Sequence, residues 1–323
     1  VNTQMRFWLQ RLGAALLLLL TVSALTFGAM NILGDPLFNI LGPIAGDTEN
    51  PENIALIEAA EAEYNLDKPL PVRWAIWLGD FVTGDFGVQF SEDGQPPVSD
   101  LIAERLPRTL ALLVMAQLMA VFVSIPWALW SASKANRPVD RASTVLTFAM
   151  IAMPSFALAV VLKYVFAIQL GWFPLAFTAN DPFWSRMWQM VLPAITLAIP
   201  AAAVYQRLLR TDLITTLQED FILTARSKGV SKNAVLFKHA LRPSLFSFVT
   251  IFAINTGALI GGALIVENVF LIPGLGRAIV EAILREDFPV VLAIVMIVSA
   301  AFVILNLLVD IVYSLIDPRV RAA

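Results

Sequence analysis

The sequence contains no cysteine and a single histidine, His239, among its 323 residues. Without cysteine the chain can form neither a disulfide framework nor a thiolate metal centre, and one histidine excludes any site that needs two. The motifs Gly-x4-Gly-Lys-Ser/Thr, Gly-x-Ser-x-Gly and His-Glu-x-x-His are also missing. These absences exclude a phosphate loop, a hydrolase nucleophile elbow and a zinc-protease centre. We therefore expect no catalytic residue, no metal site and no cofactor in this chain.

Charge is also scarce. Only 15% of the residues are charged and 58% are hydrophobic, whereas soluble domains carry roughly 25% charged residues. No continuous basic patch with interleaved aromatic residues is present, which argues against nucleic-acid binding. The composition predicts an integral membrane protein.

Six apolar stretches are each near or above the ~20 residues that a helix needs to cross a bilayer. They are Phe7–Met30, Leu106–Trp130, Ala142–Leu170, Met190–Leu209, Leu245–Val266 and Val290–Ile316. The first follows Arg6, so a cleaved signal peptide is an alternative. We favour an uncleaved helix, because its apolar run exceeds a signal core and a multi-span chain needs a first anchor. The sequence thus predicts an all-α protein with six transmembrane helices.

The basic residues of short loops predict which side of the membrane each segment occupies. The segment 206–242 has seven basic and three acidic residues, and the loop 131–141 is also basic. The region 31–105 instead has 14 acidic and three basic residues. With six crossings, both termini and the basic segments are expected in the cytoplasm, and the acidic region is expected outside.

Three regions follow from this topology. Residues 1–31 form the cytoplasmic start and first transmembrane helix, 32–105 an external (periplasmic) acidic helical region, and 106–323 a core of five helices. Within the external region, Asn50-Pro51 predicts the start of a helix that continues to Tyr64, because proline suits the first helical position. A second helix is predicted over Val72–Val82.

A polar interruption at residues 216–243, between the fourth and fifth spans, predicts a hairpin of two short amphipathic helices. In the first, Leu217, Phe221 and Ala225 recur four residues apart and share one face. Gly229 can adopt a positive φ and end that helix. Ser231 can cap the second, whose apolar stripe is Val230, Ala234, Phe237 and Leu241.

Several residues of the apolar spans are candidates for a transport pathway or gate. Pro154 and Pro200 can kink their helices, although static kinks are equally consistent with them. Glu267 and Asn268 either line a pathway or mark a helix end. The segment Ile272–Gly276 predicts a type II turn with Pro and Gly in its central positions.

Two further features of the spans have alternative interpretations. Lys163 is an intramembrane charge and so a functional candidate, but snorkelling to the outer interface is favoured. Gly257–Gly261 is a small-xxx-small pattern for packing either within the chain or against a partner subunit.

The hairpin resembles the EAA loop of membrane permeases of ATP-binding-cassette importers. Thr224-Ala225-Arg226-Ser227-Lys228-Gly229 resembles the Thr-Ala-Arg-x-Lys-Gly form of the dipeptide/oligopeptide/nickel branch, and His239-Ala240-Leu241-Arg242 resembles its His-x-Leu-Arg continuation. Leu223 and Arg242 depart from the general loop pattern in ways usual for that branch. Similar motifs, in the family's order, occur at Leu66–Pro69, Gly84–Gly87, Gly94–Pro96, Pro273–Arg277 and Leu315–Arg321.

This resemblance, which is to the first of two permease subunits, implies a type I importer permease in the bacterial inner membrane. The implied partners are a second homologous permease subunit, two ATP-binding subunits that bind ATP and Mg, an external solute-binding protein and the lipid bilayer. The hairpin would then transmit ATP-driven movement through Phe221, Leu223, Thr224, Ala225, Arg226, Lys228 and Gly229. The apolar stripe packing on the subunit's own helix ends is the alternative role.

The resemblance favours peptides as the solute. Within the same class of transporter, nickel or an oligosaccharide is the alternative solute. A non-transporting scaffold that docks a cytoplasmic partner through the hairpin is a second alternative, and an enzyme is the least favoured.

Overall fold

The computed structural model describes residues 3–33, 36–47, 49–91 and 94–316. Residues 317–321 of the Leu315–Arg321 motif, and with them the tail predicted to be cytoplasmic, lie outside these ranges. The helices are α1 (Thr3–Leu33), α2 (Pro36–Leu41), α3 (Pro51–Glu63), α4 (Leu70–Thr83), α5 (Val98–Ser133), α6 (Pro138–Ala152), α7 (Ser155–Leu162), α8 (Phe183–Thr216), α9 (Asp220–Ser227), α10 (Lys232–Ala234), α11 (Leu241–Phe270), α12 (Leu275–Leu284) and α13 (Phe288–Ile316). Three short segments have other helical geometries. Gly42–Gly46 is a 3-10 helix, and Lys163–Gln169 and Val235–Ala240 are π-helices.

The all-α prediction is confirmed. Among the described residues, the only β pairing is one antiparallel bridge between Val88 and Pro97. Five helices in these residues are long and apolar enough to cross a membrane. A sixth crossing results if α6 and the helix Ser155–Gln169 are counted as one broken span.

That broken span is the predicted span Ala142–Leu170, in which Pro154 was named as a residue that can kink the helix. The chain bends by 100° between α6 and α7. Pro154 occupies the N-cap of α7 with φ −59° and ψ 138°. Because proline donates no backbone hydrogen bond and disfavours the helical conformation of the residue before it, Met153 is extended and α6 ends there. Pro154 therefore separates two helices.

The chain divides into two compact units. Among the described residues, the first contains those of 3–107 and 277–304 and the second those of 108–276 and 305–316. In the first unit α4 packs on α1: the indole of Trp74 donates to Ser23 at 3.2 Å, and the rings of Phe27 and Trp77 lie 5.7 Å apart. The helix predicted from Asn50 is confirmed as α3, where the Asn50 side chain accepts from the N–H of Glu52 at 3.0 Å.

α8 is the central helix of the second unit and contacts α6, α7 and α11. In its most apolar stretch 61% of the residues are buried, against 11% for the first span. Small residues permit the close packing: a Cβ at Gly262 of α11 would lie 3.1 Å from the Leu197 side chain. α8 continues through Pro193 and Pro200 without a break.

Candidate functional site

The polar segment after α8 forms the predicted hairpin, and α9 is its first arm. α9 begins at Asp220, with Glu219 extended at the N-cap. Asp220 in the first turn and Arg226 in the last have the signs that complement the helix dipole. The Thr224 hydroxyl donates to the Asp220 carbonyl at 3.1 Å and leaves the side chain exposed.

Gly229 ends α9 as predicted, in a left-handed conformation with φ +79°. The N–H of Val230 donates to the Ala225 carbonyl at 3.2 Å, and the N–H of Gly229 donates to the Arg226 carbonyl at 3.0 Å. These two bonds define a Schellman motif. A Cβ at Gly229 would meet no described atom within 4 Å. Glycine is therefore needed here for its backbone conformation and not for space.

The buried face of α9 differs from the predicted one. Ile222, which the stripe did not include, is 0% exposed, and Ala225 is buried beside it. Phe221 and Leu223 are 48% and 53% exposed. Residues three apart also share one face of a helix. The sequence was therefore equally compatible with a buried face formed by Ile222 and Ala225. Ala225 packs inside the subunit, whereas Phe221 and Leu223 are available to a partner.

The second arm is continuous with the fifth spanning helix and is not a separate short helix. Ser231 caps it as predicted, because its hydroxyl accepts from the N–H of Ala234 at 3.3 Å. A π segment over Val235–Ala240 then leads directly into α11. Its wider i→i+5 turns shift the register, so Val235 and Ala240 are buried while the predicted stripe member Phe237 is exposed.

The exposed residues of both arms form one group, which we call the hairpin surface. It contains the apolar residues Phe221, Leu223 and Phe237 and the basic residues Arg226, Lys228, Lys232 and Lys238. Exposed apolar side chains rimmed by charge are typical of a protein-binding site. Of the seven predicted coupling residues, Ala225 is buried, while the other six lie on the outside of the hairpin.

Sequence reasoning missed an ion pair between the buried Asp140 of α6 and the partly buried Arg210 of α8, ahead of the hairpin. Arg210 donates from Nε and Nη2 to the two carboxylate oxygens of Asp140, at 2.5 and 2.6 Å. The Ser131 hydroxyl and the N–H of Asn136 donate to the same carboxylate at 2.7 and 2.9 Å. The end of α5 and the start of α6 are thereby tied to α8. The sequence signal that could have indicated this pair was Asp140 itself, the lone acidic residue of the otherwise basic loop 131–141.

Glu267 holds a turn. It is 0% exposed, and its carboxylate accepts from the Thr109 hydroxyl at 2.6 Å and from the N–H of Gly276 at 2.7 Å. The Thr109 hydroxyl in turn accepts from the N–H of Leu275 at 2.9 Å. The Asn268 amide donates to the Leu264 carbonyl at 2.7 Å.

The glycines of this turn have a different role from the one predicted. Gly274 has no positive φ, and its N–H donates to the Ile272 carbonyl at 2.9 Å. That two-residue closure is a γ-turn around Pro273, which corrects the type II prediction. A Cβ at Gly274 would overlap the Glu267 carboxylate, and one at Gly276 would lie 2.6 Å from the Leu264 Cα. Close approach of the turn to Glu267 therefore requires both glycines.

The two other candidates for a pathway or gate are prolines of the spanning helices. Pro154 lies at the bend, and Pro200 lies inside the unbroken α8. Their use as a pathway or gate stays a prediction. The ammonium of Lys163 donates to the Val269 carbonyl at 2.6 Å, and its snorkelling to the outer interface stays a prediction. The ammonium thus satisfies a carbonyl in the last turn of α11.

A polar network inside the second unit was also missed. The hydroxyl of buried Tyr205 donates to Gln117 at 2.9 Å, and the Gln117 amide donates to the Thr256 hydroxyl at 2.6 Å. These residues belong to α8, α5 and α11, so the network joins three spanning helices through polar groups.

Comparison with known proteins identifies relatives along the whole chain. Residues 124–322 match the family described as binding-protein-dependent transport system inner membrane component. The oligopeptide transport system permease protein AppB of Bacillus subtilis (strain 168) is 36% identical over 309 residues, which are 94% of this chain and 95% of that protein. A putative peptide transport system permease protein of Brucella abortus (strain 2308) is 37% identical over 97% of this chain and 98% of its own length. The glutathione transport system permease protein GsiC of Escherichia coli (strain K12) is 35% identical over 98% of this chain and 99% of its own length.

Proposed function

Because the chain belongs to the family of binding-protein-dependent transport system inner membrane components, we propose that it forms half of the membrane pathway of an ATP-driven peptide importer. The relatives are named as permeases for oligopeptides, peptides and glutathione, and their shared solute chemistry is the peptide. The other half of the pathway is a second, homologous permease subunit. An external binding protein delivers the solute.

The hairpin surface carries this proposal. Phe221 and Leu223 are half-exposed beside cationic side chains, and they project from an element that is rigidly ended at Gly229 and capped at Ser231. Each of the two partner ATPases receives the hairpin of one permease subunit. ATP and Mg bind to those partners, and closure of the ATPases moves α8 and α11 through the hairpin. A rigid element suits this task because ATP binding must bias two discrete states of the membrane helices.

The protein resides in the bacterial inner membrane with its termini and hairpin in the cytoplasm and residues 32–105 outside. Single-cysteine variants test this arrangement without background, because the chain has no cysteine. Glu58 on α3 and Lys228 on the hairpin are both exposed. In intact cells, an impermeant maleimide should label Glu58→Cys and spare Lys228→Cys until the membrane is permeabilised. The reverse pattern would contradict the orientation.

The coupling role is tested with the reconstituted transporter. Burying the exposed halves of Phe221 and Leu223 in an interface contributes about 2 kcal/mol together. The double variant Phe221→Ser/Leu223→Ser should therefore bind the ATPases roughly thirtyfold more weakly and lose ATP-dependent uptake of labelled trialanine. The matched control is Leu175→Ser, which changes an equally exposed leucine in the loop before α8. Full uptake by the double variant would contradict the coupling role.

A further inference from the structure

The first unit contains a cavity of about 240 Å³ at one end of two apolar spans. Phe27 and Asn31 of α1 and Phe288 of α13 line it. The apolar span of α1 ends at Ile32, and that of α13 begins at Phe288. Because a helix rises 1.5 Å per residue, Phe27 lies about 8 Å along α1 from the end of its span. The cavity therefore lies near the boundary between the headgroups and the acyl chains.

The helix α4 lies at the same level and has an apolar surface without a partner in the chain. None of its residues is buried, and its exposed apolar side chains include Leu70, Val72 and Val82. Yet the indole of Trp74 reaches Ser23, which belongs to the apolar span of α1. A helix that contacts a spanning helix at this depth meets lipid on its exposed face. α4 therefore lies in the membrane interface, where tryptophan is enriched.

The polar part of the cavity lining carries charges of both signs. Arg73 is partly exposed, and within the described residues its side chain makes no hydrogen bond and no ion pair. Burial lowers the pKa of its guanidinium, and no partner offsets that cost. The lining also contains three exposed carboxylates: Glu63, Asp80 and Asp85. Because all four residues are exposed at least in part, a ligand can approach both signs of charge.

The rest of the lining is largely apolar. The rings of Phe27 and Trp77 lie 5.7 Å apart, and those of Tyr64 and Phe90 lie 5.4 Å apart. Aliphatic side chains complete this wall, among them Ile40, Leu66, Ile76 and Leu292. The volume is below the roughly 300–1,000 Å³ of sites that enclose a small molecule. The cavity therefore suits one part of a ligand that continues into the bilayer.

We propose that this cavity binds the headgroup of phosphatidylethanolamine and the start of its acyl chain, in the outer leaflet. The phosphate accepts from Arg73, and the ammonium group, which has three N–H donors, donates to the carboxylates. One guanidinium and three carboxylates give the lining a formal charge of −2, which disfavours an anionic headgroup and favours one that has its own cation. The leaflet follows from the proposed orientation of the chain, and the site is independent of the imported solute.

Native mass spectrometry of the assembled, detergent-purified transporter tests this site. The probes are dioleoyl phosphatidylethanolamine, phosphatidylcholine and phosphatidylglycerol, which differ only in the headgroup. The wild type should bind phosphatidylethanolamine most tightly, because the choline nitrogen has no N–H and the glycerol headgroup has no cation. Arg73→Gln should weaken this binding about tenfold, as expected for a charge-assisted hydrogen bond.

Three further variants separate the groups of the lining. Arg73→Lys keeps the charge and should retain the lipid. Asp80→Asn should narrow the preference for phosphatidylethanolamine over phosphatidylcholine, and it tests the site independently if Arg73→Gln does not assemble. The matched control is Arg285→Gln, which removes an exposed arginine of the same unit outside this cavity and should bind as the wild type does.

Equal binding of the three lipids by the wild type, or unchanged phosphatidylethanolamine binding by Arg73→Gln, would overturn the proposal. Displacement of the lipid by millimolar O-phosphorylethanolamine would also overturn it, because the cavity would then take a soluble phosphate ester. So would an Arg73→Gln variant that keeps the lipid but binds the external binding protein more weakly, because the cavity would then be a docking surface for that protein.

Discussion

Replacement of Gly229 should uncouple ATP hydrolysis from transport while the protein still inserts and folds. Gly229 has φ +79° and no described atom within 4 Å of a Cβ position. A side chain there meets no steric obstacle in the fold, so its cost is that of the left-handed backbone, about 1–2 kcal/mol for an ordinary L-residue. An energy of that size lowers the population of the native left-handed conformation at the end of the hairpin arm by a factor of about 5–30.

The residue types should rank by how well they tolerate a positive φ. Asparagine visits this region readily, alanine less so, and a β-branched valine is a genuine outlier. Peptide taken up per ATP hydrolysed should therefore fall from Gly229 through Gly229→Asn and Gly229→Ala to Gly229→Val. The assay is paired measurement of trialanine uptake and phosphate release in proteoliposomes.

Gly84 provides a matched control. It ends α4 with φ +91°, the same pair of closing hydrogen bonds occurs there, and a Cβ would again meet nothing within 4 Å. Gly84→Val therefore introduces the same backbone strain away from the hairpin. The reasoning is refuted if Gly229→Val transports with wild-type coupling. It is equally refuted if Gly84→Val uncouples transport to the same degree.

Two buried carboxylates make further predictions. Asp140→Ala leaves the partly buried Arg210 guanidinium without its partner and should destabilise the protein by about 1–3 kcal/mol. The thermal midpoint in detergent should fall more than for Asp140→Ala/Arg210→Met, and additive losses would contradict the pairing. Glu267→Ala removes the acceptor of the Gly276 N–H and the Thr109 hydroxyl and should cost about 1–3 kcal/mol. Hydrogen exchange in the 272–276 turn should then accelerate, and unchanged exchange would show that Glu267 does not hold the turn.

Much of the hairpin could be predicted because its signals are local. The conformational freedom of Gly229 and the capping hydroxyl of Ser231 act within a few residues, and the structure places both as expected. Which face of each hairpin arm is buried could not be predicted from such local signals. Ile222 and Phe221 are both apolar, and which of them is buried depends on the rest of the subunit. The π segment over Val235–Ala240 changes the helical register, and no residue type signals it.

By itself the sequence determined the all-helical class and the main apolar spans. A hydrocarbon environment demands long apolar segments whose backbone groups are satisfied within the helix, and this requirement can be read residue by residue. Tertiary structure alone decided that the span with Pro154 bends by 100° while α8 continues through Pro200, and it alone decided the partners of the buried charges. Asp140 meets Arg210 seventy residues away, and Glu267 meets Thr109 at a separation of 158. Such pairs form only when packing removes both groups from water, so their positions in the chain do not reveal them.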